Sequence, residues 1–174
     1  MNTKLKNTFK KYLGILESNS TCRRVKVAAV IVKDGRTVST GWNGVPSGFK
    51  HCEEIFVIKD KPTRFGEPYA EPKLFYIENI EVTKEEFLKR HHEFSEKYEA
   101  HAEANAISFA AKNSISTEGS SIFITITPCS NCAKLILQSG IKKVYYKDVY
   151  DRSSEGFDLL KEAAERGKIE LEKI

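Results

Sequence analysis

Leu5, Phe9, Tyr12, Leu13 and Leu16 recur at helical spacing, so an amphipathic helix is expected over Thr3 to Glu17. The period then changes. VKVAAVIV and TVST flank Asp34-Gly35, a turn dipeptide between β-branched runs, which predicts a hairpin leading into the Gly-rich loop GWNGVPSG. From Lys50 to Val82 the pattern weakens and Pro62, Pro68 and Pro72 interrupt it, so an insertion of irregular structure is expected at about 50–82. Thr83 with Glu86 reads as a capping box opening a helix to about His92. A further helix, from about Ala100 to Lys112, places Ala102, Ala106 and Ala110 on one face for close packing. SIFITIT reads as a strand, Pro128 to Ser139 as a helix ended by Gly140, and KKVYYKD as a strand. Phe157 to Arg166 gives a last helix stopped by Gly167, and KIELEKI an edge strand. A hairpin followed by alternating helices and strands implies an α/β fold in three α/β/α layers around a mixed sheet of about five strands.

Length and composition narrow the class. A chain of 174 residues fits one domain, here taken as 1–174. At 40% hydrophobic and 30% charged residues it reads as globular rather than disordered. The apolar run Val27 to Val32 is far too short to cross a bilayer, and MNTKLKNTFKKYLGIL has no secretory pattern, so a cytoplasmic protein without a membrane partner is expected. A net charge of +4 suits an anionic ligand of nucleotide size and does not require a nucleic-acid partner. Cys22, Cys52, Cys129 and Cys132 could form two disulfides in a secreted protein, but in a reducing cytosol a Cys-x-x-Cys pair with histidines elsewhere points to metal binding or redox chemistry.

His101-Ala102-Glu103, followed further on by Pro128-Cys129-Ser130-Asn131-Cys132, decides for metal. This is the H-x-E…P-C-x-x-C signature of zinc-dependent deaminases. One imidazole and two thiolates give three ligands and leave a tetrahedral zinc with its fourth position open for a water. Cys129 and Cys132 fall in the first turn of the expected helix, where unpaired N–H groups favour thiolates. Glu103, two residues from His101, reaches that water without ligating zinc and is the expected proton shuttle.

The stretches HAEANAI, TPCSNCAKLILQSGIKKVYY and GWNGVPSG resemble those of the deoxycytidylate deaminases, over roughly Lys10 to Asp151. The resemblance implies a cytidine-deaminase-like fold and hydrolysis of dCMP to dUMP, a dTMP precursor. It also implies activation by dCTP, with or without Mg2+, inhibition by dTTP, a homohexamer, and residence in a host's cytoplasm if the source is a phage. Asn43 would contact the nucleotide's sugar or base, Tyr150 the deoxyribose and phosphate end, and Ala102 would line the substrate. Asn43-Gly44 is equally a turn dipeptide, and Tyr150 equally a half-buried core aromatic. Arg23, Arg24 or Lys112 could meet a phosphate of substrate or effector; each could also be plain surface charge.

In phage-type members a second, structural zinc is held by two cysteines, a histidine and a glutamate, and Cys22, Cys52, His91 and Glu99 match that pattern here. His51 and His92, each beside one of these positions, are competing ligands, and buried cysteines without metal are the plain alternative. Two other functions compete. One is a polynucleotide deaminase, such as a tRNA adenosine or DNA cytosine enzyme, which the single Trp42 and weak net charge do not favour. The other is a non-catalytic zinc scaffold, which would have no use for Glu103.

Overall fold

The computed structural model describes residues 1–60, 73–150 and 154–174. Pro62, Pro68 and Pro72, and Asp151 at the end of the resembling stretch, lie outside the described residues. Two compact units divide the chain: Met1–Ser20, Lys26–Asn43 and Ala100–Ile174 form one, and Thr21–Val25 with Gly44–Glu99 the other.

The first unit opens with α1 (Thr3–Glu17), whose start is capped by Asn2 accepting from the Leu5 N–H. The hairpin pairs β1 (Ala28–Lys33) with β2 (Arg36–Trp42), and Asp34 and Gly35 turn it with φ of +50° and +74°. Two successive positive φ values match the right-handed twist of the strands, which is why Asp-Gly works there. The remaining strands of this sheet are β6 (Ser121–Ile126), β7 (Lys143–Asp148) and β8 (Glu170–Lys173), in the order β2-β1-β6-β7-β8. β1 runs antiparallel to β2 and β6, while β6, β7 and β8 are mutually parallel neighbours, so the sheet is mixed and β8 is an edge as expected.

Alternation along β1 sends Ala28, Val30 and Val32 towards α1, where they meet Phe9, Leu13, Leu16, Phe123 and Tyr145. Phe123 sits at the centre, its ring centroid 5.0 Å from Phe9 and 4.5 Å from Tyr145. The other face carries α4 (Ala102–Lys112), α5 (Ser130–Gln138) and α6 (Ser154–Glu165), with α5 packed between α4 and α6. α4 comes very close to β2. A Cβ at Gly41 would lie 2.3 Å from the Ala102 carbonyl oxygen and 2.5 Å from the Ala106 nitrogen, so only glycine fits under that helix.

The second unit corrects one expectation. Its described residues form regular structure: α2 (Cys52–Ile55), then β3 (Phe56–Asp60), β4 (Lys73–Ile77) and β5 (Ile80–Val82) in one antiparallel sheet, then α3 (Lys84–Tyr98). Phe56 pairs with Ile77 and Phe75 with Val82, and Phe87 of α3 is buried with Phe56 and Ile77 beside Cys22 and Cys52. The strands are short and covered on one side, so their sequences lack the strong period seen in β1. α3 is capped by Thr83 as expected but runs to Tyr98 instead of about His92. No helix of the described residues is long and apolar enough to cross a membrane.

Phe123→Ala removes the ring that joins α1 to the sheet. It is expected to lower unfolding stability by about 3–5 kcal/mol in urea titrations, with Phe123→Leu costing clearly less. A loss near zero for the alanine variant would remove Phe123 from the centre of this core.

Candidate active site and metal clusters

α4 and α5 begin at the residues the motif singled out. His101 is the N-cap of α4 and Cys129 the N-cap of α5, both with extended backbone, and neither side chain caps its own helix. Proline at 128 and the end of β6 at Ile126 start α5 at Ser130, two residues later than expected, which leaves Cys129 at the helix mouth and Cys132 in the first turn. His101 Nδ1 lies 3.3 Å from Cys129 Sγ and 3.5 Å from Cys132 Sγ. A tetrahedral zinc, with bonds of about 2.3 Å to sulfur and 2.0–2.1 Å to nitrogen, holds such atoms roughly 3.6 Å apart, so the three ligands fit one ion.

The protonation pattern points the same way. Cys129 accepts a hydrogen bond from Cys132 and is drawn down to about 3, His101 adding to the effect. Cys132, the donor of that bond, is pushed up. Burial falls away towards His101: Cys132 is buried, Cys129 half-buried and His101 exposed, so the triad opens on the histidine side. Glu103 is only 3% exposed, and burial, with the Cys129 charge second among the causes that raise it, pushes its carboxyl above the ordinary range.

Around this triad the predicted substrate residues separate. Asn43 is buried, and its Oδ1 accepts from Ser20 Oγ at 2.6 Å and from the Val27 N–H at 2.8 Å, so the oxygen fixes the loop. Ala102 has no exposed surface, and its carbonyl oxygen lies against Gly41 of β2. Tyr150 is half-buried, its N–H donating to Thr127 Oγ1 at 2.9 Å. Lys112 lies at the far end of α4, about 16 Å of helix from His101 at 1.5 Å per residue. Arg23 and Arg24 are exposed in the second unit.

Two contributors escaped sequence reasoning. Asn105 donates from its side-chain amide to the Trp42 carbonyl at 2.7 Å, and Ser39 Oγ donates to the Ala106 carbonyl at 2.6 Å. Together they fasten α4 to β2 and its loop. Asn105 lies within HAEANAI, one helical turn after His101, and that spacing was the available signal.

The second unit holds its own cluster. Cys22, Cys52 and His91 are all buried, with His91 Nε2 3.2 Å from Cys52 Sγ and 3.8 Å from Cys22 Sγ. The Arg23 N–H donates to Cys52 Sγ at 3.4 Å, and Phe56 lies edge-on to His91 at 5.0 Å. Cys22 is drawn down to about 3 by the Cys52 hydrogen bond, and Cys52 is pushed up in turn. Glu99 accepts from Ser95 Oγ at 2.7 Å through Oε2, while its buried Oε1 finds no partner among the described residues. Burial first, and the Cys22 charge next, raise its carboxyl. Of the four residues expected to share an ion, the structure gathers Cys22, Cys52 and His91 within 4.8 Å of one another and leaves Glu99 outside that group. The competing histidines are elsewhere: His51 contacts Thr21 Oγ1 at 3.2 Å, and His92 is exposed.

Known proteins fit this geometry. A family model described as "Cytidine and deoxycytidylate deaminase zinc-binding region" matches residues 3–148. The deoxycytidylate deaminase of Enterobacteria phage T2 is 41% identical over 150 residues, covering 83% of this chain and 80% of that protein. That of phage T4 is 39% identical, with 83% and 78% covered. The crystal structure of dCMP deaminase from the cyanophage S-TIM5, in complex with dCMP and dUMP, aligns with a TM-score of 0.69 at 32% identity, over 100% of this chain and 99% of that one.

Metal analysis of the purified protein is expected to give two zinc ions per chain. Cys129→Ser and Cys22→Ser should each lower the count to one, since the clusters share no ligand. A single ion in the unmodified protein, or loss of both from one substitution, would contradict two independent sites.

Proposed function

This chain belongs to the cytidine and deoxycytidylate deaminase family, and from that premise we infer that Glu103 is its catalytic proton carrier. The reaction is the hydrolytic deamination of dCMP to dUMP and ammonia by a zinc-dependent enzyme. The observation that carries the inference is a buried carboxyl, unneeded as a ligand, in the first turn of the helix whose N-cap is His101.

Zinc bound by His101 Nδ1, Cys129 Sγ and Cys132 Sγ would supply the Lewis acidity that lets a water ionise near neutral pH. Glu103 takes a proton from the water that attacks C4 of the cytosine ring and passes it to ring N3. As the C–N bond breaks, the water's second proton travels through the same carboxyl to the amino nitrogen, which leaves as ammonia. Burial raises the proton affinity of Glu103, which suits a group that must both accept and return a proton.

The same reading extends to residues around the base. Asn43 contacts the nucleotide's sugar or base, and Tyr150 packs against the deoxyribose and phosphate end. Arg23 and Arg24 are the cations offered to a phosphate of substrate or effector. Cys22, Cys52, His91 and Glu99 hold a structural zinc, for which the buried Cys22, Cys52 and His91 group is the support. The whole chain acts as one deaminase domain in the cytoplasm, as a homohexamer activated by dCTP, with or without Mg2+, and inhibited by dTTP.

Glu103→Gln is expected to keep both zinc ions and the fold while lowering dCMP turnover by about 10²–10⁴-fold or more, the range of a lost general acid–base group. Retained turnover in that variant would remove the proton-carrier role. Assays on dCMP, cytidine, single-stranded DNA and tRNA should find turnover on dCMP, rising with dCTP and falling with dTTP. Turnover confined to polynucleotides would overturn the substrate, and rates indifferent to both triphosphates would overturn the regulation.

A further inference from the structure

The turn that carries Cys129 is held from a direction the motif does not reveal. On one side Thr127 is fastened to the end of β7: its N–H donates to the Asp148 carbonyl at 3.0 Å, and its hydroxyl accepts from the Tyr150 N–H. On the other side, the first turn of α6 rests directly on the backbone of residues 128 and 129. A Cβ at Gly156 would lie 2.3 Å from the Pro128 carbonyl oxygen, 2.4 Å from the Cys129 carbonyl carbon and 2.6 Å from the Cys129 carbonyl oxygen. All three are backbone atoms, which cannot rotate aside as a side chain would. The neighbouring Glu155 accepts a hydrogen bond from Ser130 Oγ at 3.1 Å, so consecutive residues of α6 grip consecutive residues of the ligand turn.

We propose that Glu155 and Gly156 are positioning residues for the catalytic metal, setting where Cys129 Sγ stands relative to His101 Nδ1 and Cys132 Sγ. This rests on the reading of those three side chains as the catalytic ligands. The physical reason is a mismatch of tolerances. Restoring ordinary contact distances of about 3.5 Å around a new Cβ would push the turn by roughly an ångström. A zinc–ligand distance tolerates only about 0.2 Å. The Cys129 carbonyl also accepts the first hydrogen bond of α5, from the Ala133 N–H at 2.9 Å, so the displacement would pass into the start of that helix and on to Cys132. Glycine within a helix weakens it, by about 1 kcal/mol relative to alanine, which makes its presence here informative: the position serves the contact and not the helix.

The test follows zinc release to a chelator in Gly156→Ala, Glu155→Ala and Glu155→Gln, with the Cys22, Cys52, His91 cluster as internal reference. Thermal melting of the metal-stripped proteins and the visible spectrum of the cobalt-substituted forms complete the set. Gly156→Ala should weaken the catalytic site by about 10–100-fold, the scale seen for groups that orient metal ligands. Its cobalt spectrum should shift, while the reference phase and the metal-free melting temperature stay near those of the unmodified protein. Glu155→Ala should weaken the same phase less, and Glu155→Gln, which still accepts from Ser130, should restore it. If Gly156→Ala does not fold, the Glu155 pair decides alone. Affinity within twofold of the unmodified protein in the alanine variants, or both phases weakening together with the melting temperature, overturns the proposal. If the unmodified protein shows no zinc at His101, Cys129 and Cys132, the underlying reading fails instead.

Discussion

Two helix starts meeting at one point set the chemistry of this chain. His101 and Cys129 are the N-caps of α4 and α5, and Cys132 stands one turn further along α5. At each helix start the backbone leaves N–H groups without helical partners and a partial positive charge, which lowers the cost of keeping thiolates there. The same geometry buries Glu103 in the first turn of α4, close enough to Cys129 for its charge to be felt. A triad that can hold a metal and a buried carboxyl thus come from one arrangement of two helix starts.

The sheet exists, in functional terms, to hold those two starts in place. β6 and β7 run parallel, so their carboxyl ends deliver Thr127 and Tyr150 side by side at the edge where α5 begins. β2 fixes α4 from beneath, through the close approach at Gly41 and the bonds from Ser39 and Asn105. Small residues mark both close contacts. Gly41 lets a helix backbone touch a strand, and Gly156 lets a helix touch the ligand turn, and in each case a methyl group would have no room.

In the second unit a cluster of potential metal ligands occupies the place a larger domain would fill with hydrocarbon. Cys22, Cys52 and His91 sit among Phe56, Ile77 and Phe87, with a sheet of three strands among the described residues. So small a core gains from a cross-link, and metal binding in such a unit is folding energy. Binding an ion there would offset the cost of burying these polar groups, His91 among them.

The sequence by itself determined the local chemistry: a histidine, a glutamate and two cysteines in the deaminase order, the turns at Asp34-Gly35 and Gly140, and the number and sequence of elements in the larger unit. These are legible because ligand type, capping and hydrophobic period are properties of neighbouring residues. The tertiary structure decided what depends on contact between distant stretches. It turned the weakly patterned 50–82 region into strands on either side of the undescribed residues, gave Ala102 to packing, sent Lys112 to the far end of α4, and chose His91 over His51 and His92. It also disclosed Asn105 and Gly156, whose importance lies in backbone approaching backbone across many residues of chain. No local period records such an approach, because the partner's coordinates, and not the residue's own neighbours, set the space available.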